Sequence, residues 1–111
     1  MTTSIARGNM TRMYAIAPTL TSVAVATITT AEQTYTVQGL QLGDIIMSVQ
    51  RPANSPVGVG VVNARVSAAN TLALTWVNPT AGSVTPAAAV FTMIVARPEV
   101  GSGTLPTALT P

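Results

Sequence analysis

Apolar and polar residues alternate with a period of two over much of this chain, a pattern typical of half-buried β-strands. Residues 71–77 show it most clearly, because Leu72, Leu74 and Trp76 lie on one side and threonine and alanine lie on the other. The preceding pair, Ala69-Asn70, is typical of a tight reversal, since asparagine tolerates left-handed backbone geometry. We therefore predict a β-hairpin here. Strands are also predicted over residues 20–29, 33–38, 45–51, 59–68 and 89–97.

In each predicted strand, alternate side chains share a face of the sheet. We expect the residues in each of the following groups to share one face: Val23 and Val25; Tyr35 and Val37; Ile45, Met47 and Val49; Val62, Ala64 and Val66; and Phe91, Met93 and Val95. Connections rich in glycine, proline or asparagine separate the strands, at residues 39–44, 52–58 and 78–88. In the first connection, we expect Asp44 to bond to nearby backbone.

Short strands that recur between such turns favour an all-β fold, and the sequence contains no helical pattern of ordinary length. We predict an antiparallel β-sandwich or small jelly roll with extended N- and C-terminal arms. The sandwich domain is expected over residues 18–97, after an N-terminal arm over 1–17 and before a flexible C-terminal tail over 98–111. Pro18 marks the first boundary, because proline pushes the residue before it toward extended geometry.

Candidate interface residues lie in the predicted arm and on two strands. The arm carries Met10, Met13, Tyr14 and Ile16, which either adhere to a neighbour or belong to a disordered terminus. The strand over 89–97 is apolar on both faces, and Val90 and Ile94 lie opposite Phe91. This predicts a central strand or a subunit interface.

Two polar residues in the middle of a strand are further interface candidates. Asn63 and Arg65 share one face of residues 59–68. Arg65 is either solvated or paired with Asp44 or Glu99, within the chain or across a subunit boundary.

Charged residues make up only 7% of the 111 residues, and none of them is lysine. A soluble monomer of this size usually carries roughly 25–35% charged residues on its surface. Here only five arginines and three acidic residues are available for the whole surface, and 48% of the residues are hydrophobic. We infer that much of the surface is buried against copies of the chain or a larger assembly. A structural or binding role is therefore expected rather than catalysis.

The residue types needed for most site chemistry are missing. The chain has no histidine, cysteine or lysine, so we predict no catalytic residues, no cofactor site and no metal site. The scattered arginines do not predict nucleic-acid binding. Proline and threonine interrupt the most apolar stretch, residues 14–28, so no membrane span is expected, although a weak signal peptide remains an alternative. Trp76 could stack on a sugar, but its alternation with leucine favours the core.

Two runs of the sequence resemble a known class of protein. They are GLQLGDIIMSVQR from Gly39 to Arg51, and RVSAANTLALTWVNPTAGSVTPAAAVFTMIVARPE from Arg65 to Glu99. Their pattern of strand and turn residues resembles that of small virion structural proteins of tailed bacteriophages. The resemblance implies a β-rich homo-oligomer, expected to be a trimer, on the capsid surface of the virion.

The role that the resemblance implies is capsid decoration, or cement, in which the chain clamps neighbouring subunits of the major capsid protein and stabilises the head. Another virion role is the alternative: a head-fibre base, a tail-tube subunit or an adaptor. The third alternative is a secreted β-sandwich protein that binds carbohydrate. Neither nucleic acid nor membrane is an expected partner.

Overall fold

The structure is a computed structural model that describes residues 10–54 and 58–98. These residues form eight β-strands and no helix, so the prediction of an all-β fold is confirmed. The strands are β1 Met10–Ile16, β2 Thr19–Leu20, β3 Thr29–Thr36, β4 Ile45–Gln50, β5 Gly60–Ala68, β6 Thr71–Asn78, β7 Ala89–Val90 and β8 Thr92–Pro98. No helix within the described ranges is long and apolar enough to cross a membrane.

The strands form two three-stranded sheets and one short ribbon, and every pairing is antiparallel. One sheet has the order β1-β8-β4 and the other has the order β3-β6-β5, while β2 pairs with β7. The two sheets pack face to face as a sandwich, with β8 and β6 as their central strands. The predicted sandwich is therefore confirmed.

The core lies between these two central strands. Leu72, Leu74 and Trp76 of β6 are fully buried, as predicted, and Met93 of β8 is buried opposite them. Trp76 meets the Phe91 ring edge to face, with ring centroids 6.2 Å apart and an interplanar angle of 86°. This geometry is favourable for aromatic quadrupoles and joins the two sheets directly.

A buried polar network sits beside this core. The Trp76 indole Nε1 donates to the Tyr35 hydroxyl over 2.8 Å, and that hydroxyl lies 2.7 Å from Ser22 Oγ. Because a buried indole N–H without an acceptor would cost free energy, Tyr35 makes the full burial of Trp76 possible. The burial of Tyr35 and Val37 on one face agrees with the predicted alternation.

The tight reversal between β5 and β6 forms at Ala69-Asn70 as predicted. Asn70 adopts a φ of 58°, and its Oδ1 accepts from the Gly39 backbone N–H over 2.9 Å. Gly39 itself has a φ of 98°, which only glycine adopts without strain. This hydrogen bond therefore joins the turn between β5 and β6 to the turn over residues 39–44.

The strand predicted over residues 20–29 is wrong for most of its length. Within this range only Leu20, the end of β2, and Thr29, the start of β3, belong to strands, and Val25 forms an isolated bridge with Val84. Val23 is exposed while Val25 is buried, although both were expected on one face. The Gln33 side chain takes the place of a strand partner: its Oε1 accepts from Val23 N over 3.0 Å and its Nε2 donates to Val23 O over 2.8 Å.

Two β-bulges overturn the predicted alternation in β4 and β5. The register shifts between Ile46 and Ser48 in β4 and between Val61 and Asn63 in β5. Because each bulge adds one residue, the core-facing positions are spaced by three rather than two. Ile46 and Val49 face the core in β4, as Val61 and Ala64 do in β5. Met47 was expected to share a face with Val49, and Val62 with Ala64, but both are exposed instead.

The predicted N-terminal arm is wrong for residues 10–16, which form β1. This strand pairs with β8 from Met10–Pro98 to Ile16–Met93. Tyr14 and Ile16 pack against the core, and this burial attaches the segment to the sheet. Residues 1–9 and 99–111, which make up the rest of the predicted arm and tail, lie outside the described residues.

Candidate protein-protein interface

The outer side of the β1-β8-β4 sheet carries no ionisable side chain in its paired rows. Directly opposed residues of antiparallel strands point to the same side of a sheet, so the register defines these rows. One row is Met13, Ala96 and Ile45, and the next is Ala15, Ile94 and Ser48. We call this surface the uncharged face; its residues are Met13, Ala15, Ile45, Ser48, Gln50, Thr92, Ile94 and Ala96.

The uncharged face is apolar at its centre. Ala96 is buried between Met13 and Ile45, and Ile94 of the central strand is half-buried. Met13 on the edge strand is 61% exposed. A surface with an apolar centre and few charges has the composition of the core of a protein interface.

A buried ion pair holds β1 and the 39–44 turn against β8. Arg97 Nε donates to Asp44 Oδ1 and its Nη2 donates to Oδ2, both over 2.8 Å. The same Nη2 donates to the Tyr14 hydroxyl over 2.9 Å and to the Gly39 carbonyl over 2.8 Å. The guanidinium also lies 5.6 Å from the centre of the Tyr14 ring. Arg97 therefore links strand β1, which carries Met13, to the rest of the sheet.

The surroundings shift the pKa values in this cluster. Burial alone raises the pKa of Asp44, but hydrogen bonds from Arg97 and the Gln41 amide, together with the Arg97 charge, lower it below its ordinary value. Burial raises the pKa of Tyr14, and the neighbouring Asp44 charge raises it further. The hydrogen bond to Asp44 raises the pKa of Arg97. The cluster is thus a stable ion pair beside a neutral phenol, without a proton donor or acceptor poised near neutral pH.

The outer side of the β3-β6-β5 sheet is different, because it carries an exposed ion pair. Arg65 Nε donates to Glu32 Oε2 over 2.7 Å, and its Nη2 donates to Oε1 over 2.8 Å. Among the alternatives for Arg65, pairing with Asp44 is wrong, since Asp44 bonds to Arg97 and Arg65 pairs with Glu32. Arg65 stands opposite Ala73 and Glu32 stands opposite Thr75, so the pair crosses over β6. The crossing explains why Ala73 is fully buried although its alternation predicted an outward position.

The structure brings together only some of the predicted interface residues. Met13 and Ile94 lie on the uncharged face, whereas Tyr14 and Ile16 of the same strand turn toward the core. Met10 begins β1 and pairs with Pro98.

The remaining candidates lie elsewhere in the fold. Asn63 and Arg65 belong to β5 in the other sheet, and Val90 of β7 is 43% exposed beside β2. The predicted interface residues therefore do not form one surface.

The sequence pattern did not indicate the surroundings of two residues. Ile45 was expected to share a face with Val49, but it completes the apolar row of the uncharged face while Val49 packs against the core. Arg51 was not singled out, although its guanidinium lies over the Phe91 ring, 5.4 Å from the ring centre. Its position at the end of an apolar strand, directly before Pro52, was the available signal, since few charges occur in this chain.

The geometry also bears on two other kinds of site. Trp76 is fully buried, so it cannot stack on a sugar from outside, and its predicted place in the core is confirmed. In the described ranges, no three acidic, histidine or cysteine side chains group together as a metal site would require. The uncharged face, with its apolar centre, is the candidate site for binding another protein.

Comparisons with protein-family models, with curated proteins and with solved structures found no match to this chain.

Proposed function

We propose that this chain is a structural subunit of a tailed-bacteriophage virion, and specifically a capsid decoration protein. In this role the uncharged face packs against subunits of the major capsid protein on the outer surface of the head. The subunit acts by binding and not by catalysis. It clamps neighbouring capsid subunits and so stabilises the shell.

The uncharged face is the observation that carries this proposal. Its paired rows on three strands contain no charge, and Met13 and Ile94 supply apolar contact area at its edge and centre. A standard stable interface buries about 800 Å² on each partner, and burial of a methionine side chain contributes about 1.5–3 kcal/mol. The resemblance of residues 39–51 and 65–99 to virion proteins supports a capsid as the partner.

A charge placed on this face tests the proposal. Purified heads that lack the protein are incubated with wild-type chain or with Met13→Glu, and the bound protein is measured by co-sedimentation. We expect Met13→Glu to weaken binding at least about tenfold, because an unpaired carboxylate would be buried at the contact. Wild-type protein should also raise the temperature at which the heads release DNA.

Val23→Glu is the matched control, since Val23 has a similar exposed fraction, 68% against 61%, and lies outside the uncharged face. It should bind heads like wild type. Equal binding by wild type and Met13→Glu would contradict the proposal. Electron microscopy of the particle adds a second criterion: density for this chain on the tail instead of the head would support a tail-tube or adaptor subunit and overturn the decoration role.

A further inference from the structure

Strand β1 forms one edge of the β1-β8-β4 sheet, and no described strand pairs with its outer side. Its register against β8 is regular over residues 12–16, because the bulge lies before Arg12. Arg12 is the only charged residue of this regular stretch, and Ala15 within it is exposed. An edge strand offers unpaired backbone donors and acceptors to other chains, so β1 can accept a further strand.

The other three edge strands carry features that hinder such pairing. β4 contains a bulge after Ile46, in the middle of the strand. β5 contains two bulges and carries Arg65, while β3 carries Glu32. Bulges and charged side chains are features by which edge strands avoid pairing with other chains. Residues 13–16 of β1 have neither, so β1 is the edge best suited to pairing.

A hydrogen bond just beyond β1 fixes the direction of the backbone groups along the strand. The Phe91 N–H donates to the Pro18 carbonyl over 2.9 Å, so these two residues form a hydrogen-bonded pair. They continue the register that places Ile16 opposite Met93. Because hydrogen-bonded and non-hydrogen-bonded pairs alternate in an antiparallel ladder, Ile16, two residues before Pro18, also bonds to β8 through its backbone.

The same alternation assigns the other residues of β1. Tyr14 bonds to β8 through its backbone, whereas Met13 and Ala15 belong to non-hydrogen-bonded pairs. The backbone N–H and C=O groups of Met13 and Ala15 therefore point to the open side of the strand. Within the described ranges, no strand pairs with these groups. Donors and acceptors in this arrangement suit an added antiparallel strand.

We propose that β1 of a second copy of this chain pairs with this edge, antiparallel and about a two-fold axis at Tyr14. The two three-stranded sheets then form one continuous sheet. This register pairs every residue of the regular stretch, and it places Met13 opposite Ala15 of the second copy. Each such pair exchanges both backbone hydrogen bonds. Since both copies use the same surface, the contact closes as a dimer.

The charge pattern of β1 favours a second copy as the partner. In this register Arg12 lies opposite Ile16 of the second copy, so like charges do not face each other. The exposed Met13 side chain lies beside the small Ala15, and both belong to the uncharged face. The uncharged faces of the two copies therefore continue across the axis. This contact joins copies of the chain to each other and does not depend on a capsid.

The first test measures self-association of the full chain without heads, by sedimentation equilibrium. Ala15→Pro removes the outward N–H, and the bonds between β1 and β8 do not involve this group. We expect the dissociation constant of the dimer to rise at least about tenfold, because each copy loses a backbone hydrogen bond to the other. Ala24→Pro is the matched control, since Ala24 is exposed and lies outside the strands. It should associate like wild type, and thermal unfolding shows whether both variants fold.

The second test checks the register by cross-linking. The chain contains no cysteine, so a single introduced thiol reports one position. In the proposed register, position 15 of the two copies lies diagonally across the joint, about 7–8 Å apart, and so does position 13. Ala15→Cys and Met13→Cys should therefore each give covalent dimers with a bismaleimide of about this span. Val62→Cys is the control, since Val62 is 59% exposed, similar to Met13, and lies on the other sheet. It should give none.

Two results would overturn the dimer: wild-type chain that stays monomeric at millimolar concentration, or Ala15→Pro that folds and associates like wild type. Monomeric chain with Met13 and Ala15 amides protected from hydrogen exchange would show that a terminal segment of the same copy covers the edge. Cross-linking of Val62→Cys as efficient as that of Ala15→Cys would also contradict the contact. A monomer that binds heads would overturn only this proposal, and a dimer that does not bind heads would overturn only the capsid role.

Discussion

Two ion pairs with the same bidentate chemistry occupy different environments in this protein. The side chains of Arg97 and Asp44 are 14% and 1% exposed, whereas those of Arg65 and Glu32 are 55% and 34% exposed. Water and salt screen the exposed pair, and the buried pair is screened much less. The buried pair also has further partners, since Arg97 bonds to Tyr14. The contribution of an ion pair to stability therefore depends on its location in the fold.

Asp44→Asn is expected to lower the free energy of unfolding by about 3 kcal/mol, because Arg97 is left buried with its charge uncompensated. Urea unfolding followed by Trp76 fluorescence measures the loss. Glu32→Gln removes the same charge from the exposed pair and should cause a much smaller loss. Similar losses in the two variants would contradict the distinction between the pairs.

At the scale of an element, the end of β6 and the connection after it are organised by one buried amide. Asn78 Nδ2 donates to the carbonyls of Val25 and Gly82, both over 2.9 Å. Its Oδ1 accepts from Thr80 N over 2.9 Å and from Thr80 Oγ1 over 2.6 Å. Asn78 is fully buried, so its amide depends on these partners, although Thr80 and Gly82 are themselves partly or fully exposed. They position Val25 beside Val84, and the two residues exchange backbone hydrogen bonds of 2.8 and 3.1 Å.

Asn78→Asp is expected to cost about 3 kcal/mol, because it replaces two donors with acceptors that face carbonyl oxygens. Urea unfolding measures the loss. Hydrogen exchange should show the Val25 and Val84 amides losing protection, since the connection they anchor is released. Asn54→Asp, in an exposed loop, should leave both measurements unchanged. Unchanged protection in Asn78→Asp would show that the amide does not hold this connection.

Strand positions were predictable where the alternation was regular and not where bulges occur. β6 runs without interruption between two partners, so the burial of Leu74 and Trp76 follows from the period of two. β4 contains one bulge and β5 contains two, and the bulges after Ile46 and Val61 leave Met47 and Val62 facing outward. A bulge depends on how a strand meets its partner, and the partner is decided by the topology. Met47 and Val62 could therefore not be assigned to a face from their own segments.

For the whole molecule, the composition determines how stability depends on pH. The chain lacks histidine, cysteine and lysine, so no side chain with an ordinary pKa between about 5 and 9 is present. The pKa of Asp44 is lowered in the folded state, so the ion pair stabilises the fold above the unfolded pKa of about 3.9. That stability is lost as the pH falls through the lower pKa of the folded state. The raised pKa of Tyr14 acts at the alkaline end, where stability is lost above about pH 10.

We therefore expect a constant melting temperature from about pH 5 to pH 9 and a decrease below about pH 4. Differential scanning calorimetry across this range measures it. Asp44→Asn should flatten the acid decrease, because its amide does not titrate. A melting temperature that changed by several degrees between pH 6 and pH 8 would contradict this account.

The two outer sides of the sandwich divide the surface of the molecule by polarity. The β3-β6-β5 sheet presents the Arg65–Glu32 pair, which remains hydrated. The β1-β8-β4 sheet presents the uncharged face, and the open side between β4 and β5 presents Arg51. The proposed contact with a capsid uses the uncharged face, on the opposite side of the sandwich from the Arg65–Glu32 pair.

The sequence alone determined the all-β class, the burial of Trp76 and the reversal at Asn70. These features depend on residues close together in the chain: the period of two, β-branched residues, and turn residues that tolerate left-handed geometry. The low proportion of charged residues was also visible in the sequence. It led to the expectation that much of the surface is buried against other protein subunits. Only the tertiary structure decided which arginine meets which acid, since Arg97 and Asp44 lie 53 residues apart. It also decided that residues 10–16 join the sheet and that Met13 and Ile45 share a face, because pairing between distant strands fixes the register.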